Sequence, residues 1–323
     1  MAEWLHLRNL NDVDELIEMG FVTPAAGHMI RLHPMMQEIV IADLKPSVKK
    51  CKILLTNLQE ICLAHGVDVP YFKPLFQTVE NIIAYIEKDE PTFFLRFLED
   101  VFPYMEKYQY RPGMERVLFA LETAVPNYGT NEDRALLLDY RATMEKNDQK
   151  AIKYEKDALA LIPEINASNA LLVSNLHSNL GGLYANIKQY ALASEHMETG
   201  LRILEEYQPI PRHDMIAKIA SYAMLQNNMK HPEKGFAILE KMAQGLQNNH
   251  MEHSGDYAMV LEAMGGICLS QGKIPEGTSY LRQSLALFEK VCGGDTELME
   301  RKKQAMIQTY ESAGVNLNLW LEA

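Results

Sequence analysis

"LGGLYANIKQYALASEHMETGL", Leu180 to Leu201, places small residues along a helical stretch: Gly181 and Gly182 early, Ala193 in the middle, Gly200 near the end. It is either a glycine loop that cradles a phosphate or a place where two helices touch, and the rest of the chain decides which. Ala193 belongs to a series with Ala151 in "DQKAIKYEKDAL", Gly235 in "HPEKGFAILEKM" and Gly277 in "KIPEGTSYLRQSL", each 42 residues from the next. Seven residues beyond them come Ala158, Gly200, Met242 and Ser284, small in three cases of four. Twelve residues before them come Asp139, Gly181, Ala223 and Gly265, and only Asp139 breaks the pattern. Small residues late in one helix and early in the next let two backbones approach, which an antiparallel helical hairpin needs. The Gly-Gly pair is therefore a packing notch.

Punctuation agrees with the period. Pro163, Pro209, Pro211, Pro232 and Pro275 fall where helices should end or begin, and Gly272 and Gly314 suit C-terminal stops. Leu172, Leu176, Leu180, Leu183 and Ile187 form an apolar stripe at helical spacing. These signals predict helix pairs at 131–161, 168–205, 214–247 and 256–291, an earlier pair at 92–108 and 111–124 with Gly113 as its notch, and a final helix at 296–313.

Composition narrows the function classes. The 323 residues carry a net charge of −12 and 47% hydrophobic residues, ample for a core and repelled by phosphate backbones and anionic lipid surfaces. Cys51, Cys62, Cys268 and Cys292 have no metal spacing and fit reduced thiols of a cytoplasmic protein. No apolar run reaches the roughly 18 residues of a membrane span, and the first residues show no signal-peptide pattern.

The stretch Leu180–Leu201 closely resembles a tetratricopeptide repeat, and "MGGICLSQGKIPEGTSYLRQSL" and "YAMLQNNMKHPEKGFAILEKM" resemble it more weakly. The usual period is about 34 residues; the longer one here is similar to that of kinesin light chains. The resemblance implies an all-α, right-handed superhelical array of antiparallel helix hairpins with a concave face, ended by a capping helix.

The first residues do not belong to the repeat. "LNDVDELIEMGFVTPAAGHMIRLHPMMQEIV" reads as a helix ending near Gly20, a strand "FVT", a strand "MIRLH" and a helix opening at Pro34. That is the closing half of a winged helix, and its acidic "NDVDELIEMG" argues against DNA reading. "RLHPMMQEIV" resembles the end of the winged helix in STAND ATPases of the NB-ARC class, which implies that His33 would touch a bound nucleotide in a full-length ATPase. No GxxxxGK[ST] occurs in the chain, so the resemblance implies an upstream nucleotide-binding module. The expected division is a partial winged helix at 1–44, a connecting helical hairpin at 45–90 and the repeat array at 91–323.

No catalytic constellation, cofactor motif or metal site is found. His250 and His253 lack HExxH spacing and read as solvated loop histidines. The informative residues are a second stripe on the first helix of each pair. Asn175, Asn179, Gly182 and Asn186 share one face, and 42 residues on stand Ala217, Ser221, Met224 and Asn228, then Met259, Ala263, Gly266 and Ser270, with Tyr140 one repeat back. In the resembled family this face lines the concave groove. It is largely uncharged, small and amide-bearing, and asparagine can donate and accept, so it suits a peptide main chain of any sequence. Only Arg301 offers a cation for a peptide carboxylate. The function expected is a non-enzymatic protein- or peptide-binding scaffold, the sensing arm of a STAND-type regulator. The alternatives are a free-standing bacterial peptide-pheromone receptor of the same repeat class, and a fragment of an ATPase whose catalytic module lies upstream. No nucleic acid or membrane partner is expected.

Overall fold

The computed structural model describes residues 11–25, 29–39, 46–65, 69–107, 110–207, 212–291 and 296–314. The chain divides into two compact units, Met1–Leu137 and Leu138–Ala323, so the array expected from residue 91 onward is shared between them.

Unit 1 opens with α1 (Asn11–Glu18), β1 (Val22–Ala25), β2 (Met29–Leu32) and α2 (Pro34–Ile39). Gly20 ends α1 at φ 73°, a left-handed conformation that favours glycine. β1 and β2 pair antiparallel in the register Val22 to Leu32 and Ala25 to Met29. Helices α3 (Val48–His65), α4 (Val69–Tyr85), α5 (Pro91–Lys107) and α6 (Arg111–Tyr128) follow, and α7 (Asn131–Met144) begins. α3 packs on α5 and α4 on α6, so the expected connecting pair stacks as a further helix pair would. Gly113 differs from the notch expected of it: an added Cβ would meet the Tyr110 ring at 2.5 Å and Met105 Sδ at 2.8 Å, side chains rather than backbone.

Unit 2 holds the rest of α7, then α8 (Asp148–Ala160), α9 (Ala170–Asn186), α10 (Tyr190–Glu206), α11 (Arg212–Asn228), α12 (Pro232–Asn248), α13 (Gly255–Ser270), α14 (Ile274–Val291) and α15 (Thr296–Ser312). Every predicted helix pair is present within a few residues. α9 packs on α10, α11 on α12 and α13 on α14, while first helices touch in sequence, α9 to α11, α11 to α13 and α13 to α15.

The notches are real close approaches. A Cβ on Gly235 would stand 2.4 Å from the Ala223 carbonyl oxygen, and one on Gly277 3.0 Å from that of Gly265; real Cβ atoms do not sit 2.4 Å from a carbonyl, so only glycine fits at 235 without movement. At the far end of the hairpin the contact is tightened by serine. Ser174 Oγ of α9 donates to the Gly200 carbonyl of α10 at 2.9 Å. In α13–α14 the roles reverse, Ser284 Oγ of α14 donating to the Ala258 carbonyl at 2.7 Å.

The turn that ends α9, α11, α13 and α15 is equally periodic. Lys188, Lys230, Gly272 and Gly314 lie 42 residues apart and all hold positive φ, 62°, 69°, 74° and 70°. At the first three the next amide reaches back to the carbonyl five residues earlier: Gln189 to Tyr184 at 2.8 Å, His231 to Gln226 at 2.9 Å, Lys273 to Cys268 at 3.0 Å. This closes the helix end with its last carbonyls satisfied.

Candidate functional site

The stripe on the first helices was expected to be a free amide ladder, and part of it instead ties helix to helix. Asn179 Nδ2 of α9 donates to Asp139 Oδ1 of α7 at 2.8 Å. Lys218 Nζ of α11 donates to Asn175 Oδ1 of α9 at 2.7 Å. Ser270 Oγ of α13 donates to Asn227 Oδ1 of α11 at 2.9 Å, and Lys302 of α15 pairs with Glu262 of α13. Each seam between described first helices of unit 2 thus carries a polar tie, offset by 40 or 43 residues rather than by the 42 of the repeat.

Asn175, Asn179 and Ser270 thus spend part of their hydrogen-bonding capacity in ties, although Asn179 and Ser270 remain exposed. Tyr140 and Gly266 do leave the surface. Tyr140 is 4% exposed, and Gly266 is buried with Met224 Cε 3.4 Å from where a Cβ would stand. What stays open is narrower. Asn186 and Asn228 are exposed, each the last residue of its helix, with no hydrogen bond of their side chains among the described residues. An added Cβ on Gly182 would meet nothing within 4 Å. Ser221 is exposed, its hydroxyl donating to the Ala217 carbonyl of its own helix. Met224, Met259 and Ala263 are half-buried and pack against the apolar cluster around Ala223, Leu239 and Ile267. Lys218, a cation that the sequence reading missed, sits at the edge of this face.

Asp139, the residue that broke the small-residue pattern, lies under it. It is buried, hydrogen-bonded to the equally buried Glu155 of α8 as well as to Asn179, and burial raises its pKa above the usual carboxylate value. Two carboxyl groups bond each other only when they share a proton, so one of the pair stays protonated. A second buried cluster belongs to unit 1. Arg96 of α5 pairs with Asp133 of α7 through both terminal nitrogens and donates to Glu99 Oε2 at 2.7 Å. Burial, with Asp133 beside it and Arg96 opposing, pushes Glu99 up to about 7.

A third cluster joins α9 to α10. His177 Nδ1 and His196 Nδ1 are 3.0 Å apart, and the Tyr184 ring stacks on His196 with centroids 5.4 Å apart. Nineteen residues separate the two histidines and no motif announces them. His33 is exposed at the exit of β2, its Nδ1 accepting from the Met35 amide at 3.3 Å. His250 and His253 are exposed. Among the described residues no group of three or more metal-ligating side chains comes together, and no helix is long and apolar enough to cross a membrane.

No protein-family model matches the chain, and no curated protein does. Among solved structures, a chain from the crystal structure of the APC/C hetero-tetramer Cut9-Hcn1 is similar over 82% of this chain and 51% of that one, at 16% identity and a TM-score of 0.46. This chain thus spans about half of that neighbour's length.

Proposed function

We propose that unit 2 is a non-catalytic scaffold that binds an extended polypeptide segment across the open part of its first-helix face. The observation that carries this reading is the pair Asn186 and Asn228, exposed at matching places on α9 and α11 with their side-chain amides unspent. Helices packed side by side lie about 8–10 Å apart, close to three residues of extended chain at about 3.3 Å each, so a ligand backbone would meet an amide at every third residue. Gly182 and Ser221 leave room for that backbone, and Met224, Met259 and Ala263 offer a soft apolar floor that adapts to varied side chains.

The test is selection of a random peptide library on the full chain, followed by titration of an enriched peptide. Asn186→Ala and Asn228→Ala should each weaken binding by about 0.5–1.5 kcal/mol, the worth of one hydrogen bond, and Gly182→Leu should block it. Lys241→Ala, on the exposed side of α12, should change nothing. Equal affinity in all four variants would place the site elsewhere.

A finer reading makes this array the sensing arm of a STAND-type signalling ATPase. What supports it is the β1–β2 hairpin followed at once by exposed His33 and α2. Its test is nucleotide turnover when this chain is joined to a nucleotide-binding module: His33→Ala should raise basal turnover if the histidine holds the resting state. Unchanged turnover would remove His33 from that role.

A further inference from the structure

We propose that the His177–His196 contact is an acid-sensitive clasp, closing α9 on α10 while the rings are neutral and releasing the hairpin when the pair is protonated. Two ring nitrogens 3.0 Å apart are within hydrogen-bond distance, and such a bond requires one Nδ1 to carry hydrogen and the other to be bare. The two rings must then be opposite tautomers. The donor ring keeps a bare Nε2 and can take a first proton there with the bond intact. A second proton has only the accepting Nδ1 to go to, which turns two N–H groups and two positive charges toward each other.

The surroundings make that second state costly. Lys156 of α8 lies over the Tyr184 ring at 5.5 Å and bears on His196, while Arg202 of α10 bears on His177. Glu195 of α10 is the one carboxylate acting the other way. On the α11 side the charges are engaged elsewhere, Tyr222 with Glu198 at 2.6 Å and Lys218 with Asn175. Burial is the largest cause in lowering both rings, His177 to about 4 from its ordinary 6.5. The unfolded hairpin therefore binds more protons than the folded one between about 6.5 and 4, so the clasp is fully present above 6.5 and is lost as pH falls through that window. Two nitrogens this close are also within the span of a metal ion, but two flanking cations and the lack of a third ligand among the described residues oppose one.

The clasp also sits where opening matters. His177 lies against Gly200 at the far crossing, 3.4 Å from where a Cβ would stand, next to the Ser174 bond that holds the same crossing. α9 carries Gly182 and Asn186, so if the proposed peptide face is right, acid would release its ligand; the clasp itself does not depend on that.

The experiment is histidine nitrogen NMR on the full chain, with hydrogen exchange corrected for intrinsic rates. A global unfolding curve would mix signals, because Glu99 in unit 1 and Asp139 titrate in the opposite sense. Expected are one Nδ1–H and one Nε2–H tautomer at pH 7.5, both rings titrating below 6.5, and protection in α9 and α10 falling at least about tenfold relative to α13 and α14 between pH 7 and 5. Replacing both rings, His177→Leu with His196→Phe, removes both proton sites and should hold protection constant across that range, while His196→Phe alone leaves the half-buried His177 to titrate and should keep only part of the acid loss. Identical tautomers, titration at the ordinary value, an unchanged protection ratio in the parent, or an acid loss that survives in the double variant would each overturn the clasp. If the variant does not fold, the spectra of the parent decide.

Discussion

Four hairpins of unit 2 meet at one equivalent pair of positions, and one of them answers differently. In α9–α10 the pair is Gly181 and Met197, in α11–α12 Ala223 and Leu239, in α13–α14 Gly265 and Leu281: small against large, and apolar. An added Cβ on Gly181 would stand 2.4 Å from Met197 Cγ, and one on Gly265 2.8 Å from Leu281 Cγ. In α7–α8 the same places hold Asp139 and Glu155, both buried and bonded to each other. The contact is conserved in place while its chemistry is exchanged. Burying two carboxyl groups costs free energy that Gly and Leu avoid, and what the pair gains is a fixed acceptor for Asn179 at the rim of the face.

The apolar version should be the least tolerant of added volume. Gly235→Leu drives a side chain into the Ala223 carbonyl and is expected to lose about 3 kcal/mol, the top of the usual overpacking range. Gly181→Leu meets the flexible Met197 and should lose visibly less. Equal losses in urea denaturation would erase the distinction between a backbone contact and a side-chain contact.

The polar version should fail by halves. Glu155→Leu alone leaves Asp139 buried without its partner and should cost about 1–3 kcal/mol; adding Asp139→Gly, which rebuilds the arrangement of Gly265 and Leu281, should return most of it. A double variant no better than the single would show that the four positions are not equivalent. The pH sign follows. Asp139 titrates above its ordinary 3.8 in the folded chain, so folding binds a proton above that value, and the stabilisation is complete below 3.8 and lost as pH rises through the raised pKa. The double variant should lack this alkaline loss.

Smaller effects test the outer ends of the same hairpins. Ser174→Ala and Ser284→Ala each remove one buried hydrogen bond, about 1 kcal/mol, and should match because one contact is built from opposite sides. Smallest is Lys188→Gly: relief of a left-handed lysine, less the extra freedom glycine gives the unfolded chain, should gain about 0.5 kcal/mol. A loss would mean that the lysine side chain is held at that turn.

The hairpins were legible because a close backbone approach leaves a mark in composition: glycine, alanine and serine recur at fixed intervals where nothing larger fits. The left-handed turn was half legible. Gly272 and Gly314 announce it, while Lys188 and Lys230 adopt the same conformation without any signature. The ties were illegible, since their offsets of 40 and 43 depend on side-chain reach, and Asn175 reads alike whether it faces solvent or Lys218. Asp139 could be seen to break the pattern, but its partner Glu155 lies in the next helix and looks like any surface carboxylate. The histidine pair fails for the same reason: packing, not spacing, brings it together.

The notches have a mechanical consequence. Where one backbone rests directly on another, as Gly235 does on Ala223, no rotamer layer lies between the helices to yield, so each pair should behave as a stiff link. The seam between α11–α12 and α13–α14 is built otherwise, from side chains throughout: buried Leu239, Val260 and Ile267, a polar tie, and beside them Met224, Met242 and Met259, which slide and repack at little cost. Compliance in unit 2 therefore resides in its joints, and a bound segment of fixed length would set the spacing of the links in the way a cord sets the curve of a jointed rule.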